Sequence, residues 1–173
     1  MIKLENICKS YDEKTVLDNI MAEFPDDSIT CIMGESGAGK TTLVRIIAGL
    51  ENADRGTVSG AGVVSFDFQE DRLINDISAA DNIMLVLDKN DFSGHDKKTM
   101  RKIINENLAE VLKDYPSDKS TGTYSGGMKR RVCLVRAMMK KSDTVILDEP
   151  FSGMDEETKI LAAEYIKKHR DGR

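Results

Sequence analysis

The stretch "GESGAGKTT", Gly34 to Thr42, matches the pattern G-x-x-x-x-G-K-[ST] in full. Gly34, Gly37 and Gly39 let the backbone fold so that successive N–H groups face one small concavity, which suits phosphate oxygens. Lys40 adds a point charge for β- and γ-phosphates, and the Thr41 hydroxyl is placed to hold Mg²⁺. A plain glycine turn is the alternative, and the flanking segments weigh against it. Upstream, "SITCIMG" is a short apolar run ending in glycine and predicts a buried strand. Downstream, "TTLVRIIAGL" is apolar at helical spacing. Strand, loop and helix in that order open an α/β unit.

Further out, "MIKLENICKSY" alternates and predicts an N-terminal strand, and "GAGVVSFDFQ" predicts another that ends at Gln69. The character then changes. "SAADNIMLVL" and "KKTMRKIINENLAEVLKDY" read as helices, the second with Met100, Ile103, Ile104, Leu108, Val111 and Leu112 on one stripe. A helix follows over about Gly126 to Met139. "DTVILDEP" is a continuous apolar run closed by two acids, the pattern of a central parallel strand. The last helix, about Asp155 to Arg170, opens on Asp155, Glu156 and Glu157 and closes on Lys167, Lys168, His169 and Arg170, as the helix dipole favours. Gly172 supplies the stop. His169 at that helix end and His95 in a surface loop read as structural.

The 173 residues, 40% of them apolar and 32% charged, describe an ordinary globular chain with a core. A net charge of -5 argues against a nucleic-acid binder. Lys129, Arg130 and Arg131 form too short a basic cluster to alter this and read as a solvated helix face or a partner contact. Cys8, Cys31 and Cys133 are far apart and read as buried, reduced thiols of a cytosolic protein. No apolar run approaches the ~20 residues a bilayer span needs, and the N-terminus is not a signal peptide.

Two further motifs carry chemistry. Asp148 and Glu149 close "VILDE", at the C-terminal crest of a parallel strand where α/β folds bind ligands. Asp148 is placed to hold a metal through water, and Glu149 to polarise a water for in-line attack on a γ-phosphate. Acids facing solvent in a strand-to-loop turn are the alternative. These motifs leave kinases, GTPases, helicases and transporters open. "YSGGMKRR", Tyr124 to Arg131, narrows the field: Ser125 can cap a helix, and Gly126 and Gly127 expose N–H groups at its start, a second anion cradle.

Taken in order, the segments resemble the ATP-binding subunit of an ABC transporter over essentially the whole chain. Tyr11 falls where the family has the aromatic that stacks on adenine, with Val16 near the ribose. "GESGAGKT" resembles its Walker A, so Gly34, Glu35, Ser36, Gly37, Ala38, Gly39, Lys40, Thr41 and Thr42 are implied to bind nucleotide. "FQEDRL" resembles its Q-loop, with Gln69 sensing metal and γ-phosphate. "YSGGM" resembles its signature, usually LSGGQ; "VILDE" its Walker B; and "SGMD" its D-loop, ending in Asp155. The wording is nearest the nitrate, sulfonate and taurine import branch.

The resemblance implies a P-loop NTPase core with a mainly parallel sheet, an N-terminal antiparallel β part and a small helical subdomain. The core is expected over 1–69 and 126–173 and the helical part over about 70–125. ATP and Mg²⁺ are the implied cofactors, with Thr41, Gln69 and Asp148 serving the metal and Glu149 as general base. Two copies, or a copy and a homologous subunit, are expected to pair head to tail, so that Ser125, Gly126 and Gly127 of one cap the γ-phosphate held by the other. Transmembrane permease subunits are the other implied partners. The location is then cytoplasmic, on the inner face of the membrane without insertion, and no nucleic acid takes part.

Two departures qualify this. Met128 replaces the polar glutamine of the signature, a mild weakening. The chain stops at "HRDGR", where the family continues into a strand bearing a switch histidine, so impaired turnover is expected. A binding-only module with little or no turnover is the rival reading. A soluble relative acting on DNA or ribosomes lacks its coiled-coil inserts here, and a P-loop kinase is disfavoured by the signature. The sequence does not name the solute or decide import against export.

Overall fold

The computed structural model describes residues 1–113 and 119–173, so Asp114 and Tyr115 at the end of the expected "KKTM…KDY" helix lie outside the described residues. The chain forms two compact units. The first holds Met1–Val64, Ser142–Ile146 and Gly172–Arg173; the second holds Ser65–Lys141 and Leu147–Asp171.

In the first unit, β1 (Ile2–Tyr11) lies between β2 (Lys14–Phe24) and β3 (Arg55–Ser59), antiparallel to both. Asp12 takes a left-handed φ of 51° in the two-residue turn that joins Tyr11 to Lys14. Strict alternation fails in β1 because Asn6 is also left-handed, φ 53°, and the pairing shifts between Leu4 and Ile7. That bulge turns both Leu4 and Ile7 inward, where they are buried with Leu17 of β2. The helix α1 (Lys40–Ile47) buries Leu43, Ile46 and Ile47, the i, i+3, i+4 set its sequence sets out. It ends on Gly49, φ 68°, with the Leu50 N–H donating to Arg45 O at 2.9 Å and the Gly49 N–H to Ile46 O at 3.0 Å, the pair of bonds that closes a helix through a left-handed glycine.

One expectation fails here. The run 28–34 forms no strand, and Ile29 and Met33 are 53% and 88% exposed. An apolar run becomes a strand only where neighbouring backbone completes its hydrogen bonds, and none of the described strands pairs with it. Cys31 is exposed for the same reason, against the expectation of a buried thiol; Cys8 is half-buried and Cys133 fully buried.

The strands β4 (Val64–Asp67) and β5 (Thr144–Leu147) form the other sheet. The Thr144 N–H donates to Val63 O at 3.2 Å and the Asp148 N–H to Asp67 O at 3.0 Å. Partners therefore advance in the same direction and the pair is parallel, as expected of the α/β class.

Among the described residues of the second unit, four stretches are α-helical. They are α2 (Ala79–Met84), α3 (Lys97–Val111), α4 (Gly126–Met139) and α5 (Glu156–His169), capped by Ser78, Asp96, Ser125 and Asp155. Each cap side chain accepts the N–H three residues on, at 2.7 Å for Asp96 and Thr99 and 2.8 Å for Asp155 and Thr158. Residues 132–135 of α4 are buried in succession, so the middle turn of this helix is enclosed on every side. On α3 the buried stripe is Met100, Ile104, Leu108 and Val111, with Leu112 just beyond it. The Tyr165 hydroxyl of α5 donates to Asn107 Oδ1 of α3 at 2.7 Å, and His169 Nε2 lies 3.1 Å from Glu110 Oε2. His95 is exposed in the loop before α3.

Candidate functional site

In the first unit, residues 34–38 form an exposed loop leading into α1. Gly37 and Gly39 have φ of 80° and 84°; left-handed residues beside helical ones turn successive N–H groups to one side and make an anion nest. Gly39 is required twice over. A Cβ there would lie 2.8 Å from Val16 Cγ1 and 2.9 Å from Leu17 Cδ2, so Val16 packs directly against the loop. Lys40 Nζ donates to Gly34 O at 2.8 Å and Glu35 O at 2.7 Å. Its ammonium is thus held over the loop with two of its three donors engaged. Thr41 and Thr42 follow in the first turn of α1, whose N-terminus favours an anion. Tyr11 is 44% exposed; its hydroxyl donates to Glu51 and Lys9 Nζ lies 5.5 Å from its ring centre. None of those partners belongs to the loop.

In the second unit, the ends of β4 and β5 bring Gln69 and Glu149 together: Gln69 Nε2 donates to Glu149 Oε2 at 3.1 Å. Asp148 is buried and Glu149 exposed. Glu149 has a φ of 53°, a conformation uncommon for a side chain other than Asn, Asp or Gly. Asp155 caps α5. Ser125 accepts the Met128 N–H at 3.2 Å, leaving Gly126 and Gly127 in the first turn of α4. A Cβ on Gly127 would come within 2.7 Å of Gly153 O, so the start of α4 and the 149–155 loop meet backbone to backbone.

Sequence reasoning missed what holds these ends in place. Arg130 is 2% exposed, not on a solvated face, and its Nη2 lies 2.8 Å from Asp67 Oδ2, itself wholly buried. Burial pushes the Asp67 carboxyl up to about 7, against the pull of the Arg130 and Arg136 guanidinium groups. The neighbouring Arg131 donates to Gly127 O and Val111 O at 3.0 and 2.8 Å, and Lys129 to Asn75 Oδ1 at 3.1 Å. The signal for Arg130 was its place in the helix period: it falls on the stripe of Gly127, Leu134 and Met138 rather than on an outer face. A second node, buried Asn82, donates from Nδ2 to Ile74 O at 3.0 Å while its Oδ1 accepts the Ile74 N–H at 2.8 Å; Thr121 Oγ1 donates to the same carbonyl at 3.0 Å. It fixes the segment before Ser125 against the segment after Gln69.

The loop residues of the first unit fit the phosphate groups of a nucleotide. The loop offers an anion nest and a held ammonium. Among the described residues no group of three His, Cys, Asp or Glu could hold a metal alone; the Thr41 hydroxyl beside the loop and phosphate oxygens are of the hard oxygen kind that magnesium prefers.

Residues 17–152 match the family model described as ABC transporter. The chain belongs to the ABC transporter family. It is 32% identical over 182 residues to the sulfate/thiosulfate import ATP-binding protein CysA of Vibrio vulnificus (strain CMCP6), covering 98% of this chain and 53% of that one. It is 34% identical to the aliphatic sulfonates import ATP-binding protein SsuB 2 of Burkholderia cenocepacia (strain HI2424), covering 94% and 62%. The chain thus spans between about half and two thirds of these relatives' length. Its fold is that of the ATP-binding cassette MJ0796 in a dimeric post-hydrolysis state bound to ADP and Pi, with a TM-score of 0.84, 24% identity, and 99% and 84% of the two chains covered. No helix among the described residues is long and apolar enough to cross a membrane.

Proposed function

We propose that this ABC family chain binds Mg·ATP and hydrolyses it as the ATP-binding subunit of an importer. The observation that carries the reading is the 3.1 Å bond between Gln69 and Glu149, two polar side chains from separate strand ends meeting where a water would be activated. The matches to sulfate and sulfonate import ATP-binding proteins support the importer assignment.

In this reading the 36–41 backbone N–H groups and Lys40 hold the phosphates, Tyr11 stacks on adenine and Val16 lies near the ribose. Thr41 and Asp148 hold the magnesium ion, Asp148 through water, with Gln69 sensing it. When bound, that ion neutralises charge on the β- and γ-phosphate oxygens. The Glu149 carboxylate accepts the proton of the attacking water, and Gln69 orients that water. Ser125, Gly126 and Gly127 meet the γ-phosphate held by a second copy, and Asp155 lies in the loop between copies. Residues of about 70–125 form the helical subdomain that faces permease subunits, which set the solute, and the assembly sits on the inner face of the membrane.

Phosphate release and binding of a fluorescent ATP analogue test the reading. Lys40→Ala is expected to weaken binding at least about tenfold. Glu149→Gln is expected to keep binding, lose turnover and accumulate a dimer in light scattering with ATP; normal turnover in this variant would falsify the base assignment. Binding without any turnover in the unaltered chain favours the binding-only reading.

A further inference from the structure

Arg130 touches more than its ion-pair partner. Its Nε donates to Glu149 O at 3.2 Å, its Nη2 to Asp148 O at 2.6 Å, and its Nη1 to Phe68 O. These three carbonyls belong to the residue before Gln69 and to the two acids that close β5. The guanidinium is held in turn by Asp67, through Nη2 at 2.8 Å and Nη1 at 3.4 Å. One planar fork, anchored on one carboxylate, therefore ties α4 to the ends of both β4 and β5.

We infer that Arg130, anchored by Asp67, is a positioning residue that holds Glu149 in its left-handed conformation and fixes its distance from Gln69. Glu149 has a φ of 53°, which an L side chain rarely adopts unless its surroundings impose it. Arg130 brackets that strained residue by gripping the carbonyl on either side of its amide. Lys carries three donors in a tetrahedral array and Gln only two, so neither reproduces three bonds from one planar fork. Because the guanidinium starts on α4, the helix opened by Ser125, any shift of that helix start is transmitted to Glu149 through rigid atoms. The inference rests on the assignment of Glu149 as the hydrolytic base.

The test separates position from mere stability. Arg130→Gln alone leaves the buried Asp67 carboxylate without its guanidinium and is expected to melt well below the unaltered chain. The double variant Asp67→Asn with Arg130→Gln removes both charges at similar volume, and its melting temperature is expected to return most of the way. Its kcat for ATP is nonetheless expected to stay roughly 10- to 100-fold down, with KM for ATP within about threefold, because a small misplacement costs the chemical step and not the binding. A double variant that regains full kcat together with its stability overturns the inference. Amide hydrogen exchange of residues 147–151 in the same proteins gives the second arm. Faster exchange there in the folded double variant supports the clamp, and unchanged exchange sinks it. If the unaltered chain itself turns over no ATP, the hydrolytic reading falls, and this exchange arm still decides the positioning.

Discussion

Cys133 is wholly buried on α4, where burial pushes its thiol up to about 12 and its Sγ donates to Asp71 O at 2.7 Å. A thiol so held is neither ionised nor reachable at neutral pH. Cys31, exposed ahead of the phosphate loop, has no such shelter. A maleimide at neutral pH is therefore expected to label Cys31 in the native chain and Cys133 only in denaturant, read by mass spectrometry of the digested protein. The two signature glycines give a second contrast at the same scale. A methyl on Gly127 meets the Gly153 carbonyl at 2.7 Å, whereas Gly126 has open space around it. Both atoms of the Gly127 clash are anchored to backbone and cannot swing away. Gly127→Ala is expected to cost about 1–3 kcal/mol in urea unfolding, while Gly126→Ala is expected to be neutral or stabilising by up to about 1 kcal/mol, the helix preference for alanine. Equal effects would mean that the approach of the 149–155 loop to α4 is not close.

At the scale of elements, α3 separates what a cap and a core position contribute. Asp96→Ala removes one accepted N–H at the surface and is expected to cost about 1 kcal/mol, whereas Leu108→Ala opens a fully buried site and is expected to cost about 2–5 kcal/mol. Thermal and urea unfolding of the two variants check the order. The same helix explains why some elements were legible. For α3 and α5 the period and the cap residue agree, and in α5 the terminal charges agree as well; agreement across local signals is what specifies an element. The run 28–34 offered only apolarity, which says that a segment prefers burial without saying which backbone completes its bonds. β2 and β3 carried weaker alternation, blurred by the left-handed Asn19 in β2. The phosphate loop, the two acids and the Ser125 cap were read from the residue types that backbone geometry and charge favour at those spacings, whereas Gln69 came from the family resemblance alone. Arg130 was not, since a run of three basic residues reads as solvated surface, and only the helical stripe it shares with Gly127 and Leu134 marks it as internal.

For the whole molecule, two sets of carboxylates pull the dependence of stability on pH in opposite directions. Asp81 is held below its usual range by the Ser78 hydroxyl and Arg101, Asp88 by Lys140, and Asp96 and Asp155 by the N–H groups of Thr99 and Thr158. Glu110 is also depressed: burial raises it, and Lys168 and His169 together outweigh that. A group depressed in the fold stabilises above its unfolded value, near 4 for these side chains, and that stability is lost as pH falls through the folded value. Asp67 has the opposite sign. Burial lifts it to about 7, so its protonation favours the fold, and its contribution is complete below about 4 and lost as pH rises from about 4 to 7. Lowering the pH from about 7 to 5 is thus expected to add stability through Asp67, and lowering it below about 4 to remove stability through the others. Asp67→Asn abolishes the first limb and leaves the second, which isolates Asp67 from the two histidines that also lie in the chain. Urea midpoints of both proteins at pH 7, 5 and 3 check this. If the difference between the two is flat from pH 7 to 5, Asp67 is ionised throughout and its pair with Arg130 is a full salt bridge rather than a carboxyl poised between states.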